Sequence, residues 1–124
     1  QTVSQAIARY PDVGEVDVPH MISWADTERD LSAWLGNSMQ SNALKDVYEL
    51  ADQVLATRNE RLIHDWRKLQ TSDHFYYMCT KYWNDGDVHK YFSPYESPYE
   101  AYRRFSHALC DLRERVQRHL HAQP

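Results

Sequence analysis

A carboxylate, an imidazole and three rings stand in a row at Asp73-His74-Phe75-Tyr76-Tyr77, and they open an unusually ring-rich stretch. Residues 75–105 hold Phe75, Tyr76, Tyr77, Tyr82, Trp83, Tyr91, Phe92, Tyr95, Tyr99, Tyr102 and Phe105, eleven of the sixteen Phe, Trp and Tyr residues of the chain. Aromatic faces pack on the apolar faces of sugar rings, and neighbouring Asp, His and Asn side chains bond sugar hydroxyls. The same rings can also form a Tyr-rich core with hydroxyls at its rim, or meet another domain. Phe75, Tyr76 and Tyr77 are consecutive, so on a helix they point in different directions and cannot all face one core. Trp24 and Trp34 add two further large rings, as core anchors or as a sugar platform. Ten positions apart on one helix, they would share a face.

Other arrangements carry less chemistry. Asp85, Asp87 and His89 have metal-ligating types, but Gly86 marks a turn and no calcium-loop pattern follows. Glu96 and Glu100 could pose as an acid/base pair, yet both stand at the fourth position of a Ser-Pro-Tyr-Glu repeat, where a capping box explains them. His64, His107, His119 and His121 lack ligand spacing. Cys79 and Cys110 form no CxxC and read as two small buried thiols, with a reducing, cytoplasmic setting as the default. No cofactor and no metal is expected.

Composition narrows the partners. Eighteen acidic against fourteen basic residues give a net charge of −4, which disfavours unspecific nucleic-acid binding. No apolar run is long enough to cross a bilayer, and no signal-peptide pattern opens the chain. A start at Gln1 rather than Met fits a processed chain or an excised piece.

Helices must position these residues. Val3, Ile7 and Tyr10 suggest a short helix ended by Pro11, and Val13, Val16 and Val18 an extended connector, so residues 1–22 form one unit and 23–124 a helical bundle. Ser23 is an N-cap candidate for a second helix through Leu31, Trp34 and Leu35, stopped at Gly36. Leu44, Val47, Ala51, Val54, Leu62, Trp66 and Leu69 predict a third helix over residues 43–69, roughly 40 Å long. Ser72 would cap a fourth, from Asp73 to about Tyr82, before a turn at Asn84-Asp85-Gly86-Asp87. Ser93-Pro94-Tyr95-Glu96 and Ser97-Pro98-Tyr99-Glu100 each read as a helix start, the second opening a last helix striped by Tyr102, Phe105, Leu109, Leu112 and Val116. No strand pattern competes. The fold class is all-α, a small bundle of about three main helices plus shorter ones.

Three stretches carry a resemblance: Ile22-Ser23-Trp24-Ala25-Asp26 running into Asp30-Leu31-Ser32-Ala33-Trp34-Leu35-Gly36-Asn37; Leu69-Gln70-Thr71-Ser72-Asp73-His74-Phe75-Tyr76-Tyr77-Met78; and Asp85-Gly86-Asp87-Val88-His89-Lys90-Tyr91-Phe92-Ser93-Pro94-Tyr95. Their order and wording resemble the C-terminal helical region of α-amylase-like proteins in glycoside hydrolase family 57, over residues 13–112. The resemblance implies a retaining enzyme acting on α-glucans. Its Glu nucleophile and Asp acid/base sit on an incomplete β/α barrel, about 5 Å apart as retention requires. Those residues would lie upstream of Gln1, so this chain alone would not be catalytic. The resemblance further implies that the helical region packs on the barrel and lines the substrate cleft, with Asp73, His74, Phe75, Tyr76 and Tyr77 as its last conserved region. Trp24 and Trp34 join them as candidate glucan contacts. An isolated segment would leave an apolar, aromatic face bare and could dimerise through it. The alternatives are a stand-alone helical interaction module and a self-sufficient carbohydrate-binding module.

Overall fold

Pro98 fixes the start of the longest helix. The computed structural model describes residues 1–25, 27–81 and 91–122. In it the Ser97 hydroxyl accepts from the Glu100 amide at 3.2 Å, with Pro98 in the first turn where its missing N–H costs nothing. The Glu100 carboxylate does not complete a capping box. It turns to Arg103 and Arg104 instead. The earlier Ser93 copy opens no helix, because its hydroxyl bonds the amide of Tyr95 only two residues on and closes a bend.

The helices are α1 Val3–Arg9, α2 Ser32–Leu35, α3 Ser38–Glu49, α4 Ala51–Ala56, α5 Glu60–Lys68, α6 Ser72–Tyr76 and α7 Pro98–His121. Among the described residues no strand forms, so the chain is all-α. α7 buries Ala101, Phe105, Leu109, Leu112 and Val116 along one stripe, against which α3, α4 and α5 pack. Their shared core includes Val47, Leu50, Val54, Leu62, Phe75 and Met78. Trp66 donates its indole N–H to the Val47 carbonyl at 2.9 Å, and Arg115 reaches Asp65 at 2.6 Å, tying α5 to α3 and to α7.

The expected single helix over 43–69 is instead α3, α4 and α5. The step at Leu50 is slight, since Leu50 keeps right-handed helical angles. The true break lies at Thr57–Asn59. The Thr57 hydroxyl donates back to the Val54 carbonyl and accepts from the Asn59 amide. Arg58 takes a left-handed φ of 52°, and the Asn59 side chain then caps α5 by accepting from Arg61 and Leu62. The apolar residues on either side stay in register with a continuous helix, so the stripe hides the break.

The second expected helix also shortens, to four residues. Ser23 is instead tied by hydrogen bonds to Arg29 and Asp30. The Ser23 amide donates to the Arg29 carbonyl, the Ser23 hydroxyl donates to the Asp30 carbonyl, and Ala25 is buried. Arg29 is left-handed at φ 53° and its guanidinium donates to the Trp24 carbonyl. Gly36 ends α2 for reasons of space. Its φ is negative, but a Cβ would collide with the Ser32 carbonyl oxygen.

At the other end of the chain from α7, α1 forms as the sequence suggests, with a Thr2–Gln5 capping box, yet none of its residues is buried. Val3, Ile7, Val13 and Val16 stand in solvent. Cys79 is buried, whereas Cys110 is exposed on α7, because it falls off the stripe that Leu109 and Leu112 define. The expected turn at residues 84–87 and the Asp85, Asp87 and His89 group lie outside the described residues, as does Asp26.

Candidate functional site

The fourth expected helix, to about Tyr82, is shorter: α6 ends at Tyr76, with Tyr77 as its C-cap. Thr71, not Ser72, is its N-cap, and no side chain caps it. Five residues then divide by helical spacing. Phe75 enters the core, 5% exposed, with its ring 5.7 Å from that of Phe105. Asp73, Tyr76 and Tyr77 fall on another side, where a pocket of about 530 Å³ opens between Trp24, Trp34, Ser72, Asp73, Tyr76, Tyr77 and Phe92. The Trp34 and Tyr76 rings are 5.7 Å apart and tilted by 45°. Trp24 forms an outer wall and is 78% exposed.

Five of the seven residues singled out from the sequence therefore meet: Trp24, Trp34, Asp73, Tyr76 and Tyr77. His74 does not join them. Its ring lies 5.8 Å from Phe105, in a separate groove of about 80 Å³ with Leu69, Tyr95 and Arg104. Phe75 is turned into the core because the position between Asp73 and Tyr76 faces α7. Trp24 and Trp34 reach one pocket without sharing a helix. The bonds from Ser23 to Arg29 and Asp30 bring Trp24 back beside α2.

A buried amide sets the geometry behind the rings. Gln40 is fully buried, and its nitrogen donates to the carbonyls of Ala33 at 2.8 Å and Phe75 at 2.9 Å. Its oxygen accepts from the amides of Gly36 and Asn37. One side chain thus satisfies four backbone groups and joins α2, α3 and α6, as a buried polar network must if it is to stabilise. Asn37 adds a bond from its side-chain nitrogen to the Met78 carbonyl at 2.8 Å. The loop carrying Trp24 is clasped to the chain after α6 by Lys81, which pairs with Glu28 at 3.3 Å and bonds the Ser32 hydroxyl. Asp30 accepts from the hydroxyl and amide of Ser32, and these bonds hold its carboxyl below the usual range.

The sequence reading gives Ser72 as a cap and Phe92 as one of many rings, and assigns neither them nor Gln40 and Lys81 to the site. Asn37-x-x-Gln40 is a readable capping pattern, and its box forms, but nothing in it announces that Gln40 is buried.

Electrostatically the pocket is acidic and aromatic. Burial, with the nearby Asp73 charge and Tyr95 adding to it, pushes the Tyr77 phenol upward, so its hydroxyl keeps its proton and can donate. Asp73 is an acceptor; Ser72 and Tyr76 offer both roles. Such a lining offers ring faces and hydrogen-bonding groups, and among its described residues Asp73 is the one carboxylate. Glu100, already low through bonds from Arg104 and Arg103, is committed to those arginines. Among the described residues no group of three His, Cys, Asp or Glu side chains gathers to hold a metal, and no helix is long and apolar enough to cross a membrane. A wider hollow beside Glu15, Val16 and Asp17 is bordered by extended chain alone and offers no convergent groups.

The molecule is thus a helical bundle presenting an aromatic pocket with, among the described residues, one carboxylate. It is similar to a protein of Methanocaldococcus jannaschii described as "Putative alpha-amylase", with 36% identity over 120 residues, covering 89% of this chain. The alignment covers 26% of that protein, so the chain spans about a quarter of the relative's length. The likeness is therefore to part of an α-amylase-like protein. No protein-family model matches the chain, and no solved structure does.

Proposed function

We propose that this chain is the helical segment of a longer, family 57 α-amylase-like glycoside hydrolase acting on α-glucans. It packs on the catalytic barrel, lines the substrate cleft with its aromatic pocket, and is not catalytic alone. The observation that carries the reading is the convergence of Trp24, Trp34, Tyr76 and Tyr77 around the Asp73 carboxylate. Rings supply faces for sugar C–H surfaces, and Asp73, Ser72 and the phenols supply partners for hydroxyls. The length of the relative, about four times the aligned part, supports a missing neighbour. So do the exposed apolar side chains of Val3, Ile7, Val13, Val16 and Val18, which a neighbour could cover.

Titrating maltotetraose into the chain while following Trp emission tests the binding half of the proposal. We expect a saturable change with a Kd on the order of millimolar, worth about 4 kcal/mol, lost in Tyr76→Ala. An unchanged spectrum at several times that concentration would remove the sugar site.

Those same side chains favour a second reading, a helical interaction module whose partner is another protein. It predicts tight binding to a protein partner and no response to maltotetraose, in the isolated chain or in the intact protein.

A further inference from the structure

The pocket's lining is lopsided in charge. Its described walls are five rings, one hydroxyl side chain and the carboxylate of Asp73, with no lysine, arginine or histidine among them. Asp73 is exposed, belongs to the first turn of a five-residue helix, and is available from solvent. So short a helix offers little positive end to offset it. Among the described residues, the cations of the neighbouring loop are engaged elsewhere. Lys81 is held by Glu28 and Ser32, and the Arg29 guanidinium bonds the Trp24 carbonyl. His74 lies in the other groove, against Phe105.

Aromatic faces carry negative potential and attract organic cations, and a carboxylate among them strengthens the preference. The same surface is hostile to an anion. We infer that this pocket selects its sugars by charge: it takes uncharged glucan and amine-bearing glucose units, and turns away units carrying a phosphate monoester, with Asp73 as the discriminating residue. The inference rests on the sugar-binding reading above and adds to it the class of sugar admitted.

The size of the effect follows from Coulomb's law. A phosphate dianion about 6 Å from an exposed carboxylate, in a medium close to water, is disfavoured by on the order of tenfold, and the penalty shrinks as salt shortens the Debye length. An ammonium at the same place gains several-fold from the carboxylate and the Trp24, Trp34 and Tyr76 faces.

The test uses the full chain and three matched ligands: maltotetraose, its 6-phosphate and its 6-amino-6-deoxy counterpart, with Kd read by titration calorimetry in low and in 0.5 M salt. The expected order at low salt is amine tightest and phosphate weakest, with the spread compressed at high salt. Asp73→Asn should collapse the spread towards a common value, whatever its absolute affinities, and Asp73→Glu should keep the order. Phosphate binding as well as the neutral sugar, or a spread indifferent to salt in the unsubstituted chain, would overturn the inference and leave the sugar site standing. Failure of all three ligands to bind would instead overturn the site itself.

Discussion

The two sides of α6 answer to different demands. Phe75 and Tyr76 are neighbours in sequence, yet one ring is sealed against Phe105 and the other sits half-exposed against Trp34. The sealed side holds the bundle together. The open side keeps aromatic surface at the pocket wall, which is where the proposed sugar contact falls. Residues that a sequence reading groups as one motif are thus divided by a turn of helix into a half buried in the core and a half that lines the pocket.

Substitutions can break the comparison. Phe75→Ala should have the largest effect, a loss of about 3–5 kcal/mol in urea unfolding, because a buried ring leaves a cavity beside Phe105. If Tyr76→Ala cost as much, the two sides would not differ. Gln40→Ala should cost about 1–3 kcal/mol by stranding buried backbone groups of α2, α3 and α6. It should also weaken sugar binding, since Trp34 and Tyr76 lose their common support. Stability lost with binding intact would show that the rings are held in some other way.

The smallest effect is expected at Asp65, far from the pocket. The bond from Arg115 holds its carboxyl below the ordinary carboxylate value. A depressed folded value contributes stability above the unfolded value of about 3.9, and that contribution is lost as pH falls through the folded value. Both partners are 32% exposed, so Asp65→Asn should cost no more than about 1 kcal/mol at pH 7. The difference from the parent chain should vanish in acid, and maltotetraose binding should not change. A difference that persisted at pH 2 would place its origin outside the ion pair.

Much of this was readable before any coordinates. The stripe and the Ser97-Pro98 start of α7 are strong local signals, and they agree with the packing. The break before α5 was lost because Leu62 continues the phase set by Val47 and Val54, while the left-handed residue is Arg58 and not a glycine. Ser23 resembled a cap, but its hydroxyl bonds the Asp30 carbonyl instead. Gln40 escaped notice because hydrophobic patterning ranks a buried amide as surface. At the site, Asp73, Tyr76 and Tyr77 share a side by simple spacing. The approach of Trp24 and Phe92 depends on how distant loops close, which no local pattern records.

The most direct measurement is an amide NMR map of the chain as maltotetraose is added. Perturbations should gather at Trp24, Trp34, Ser72, Asp73, Tyr76 and Tyr77, and should spare Leu69, Arg104 and the groove beside His74. Shifts centred on that groove, or on the apolar row of residues 3–18, would contradict the division of α6 into a sealed side and a sugar-binding side.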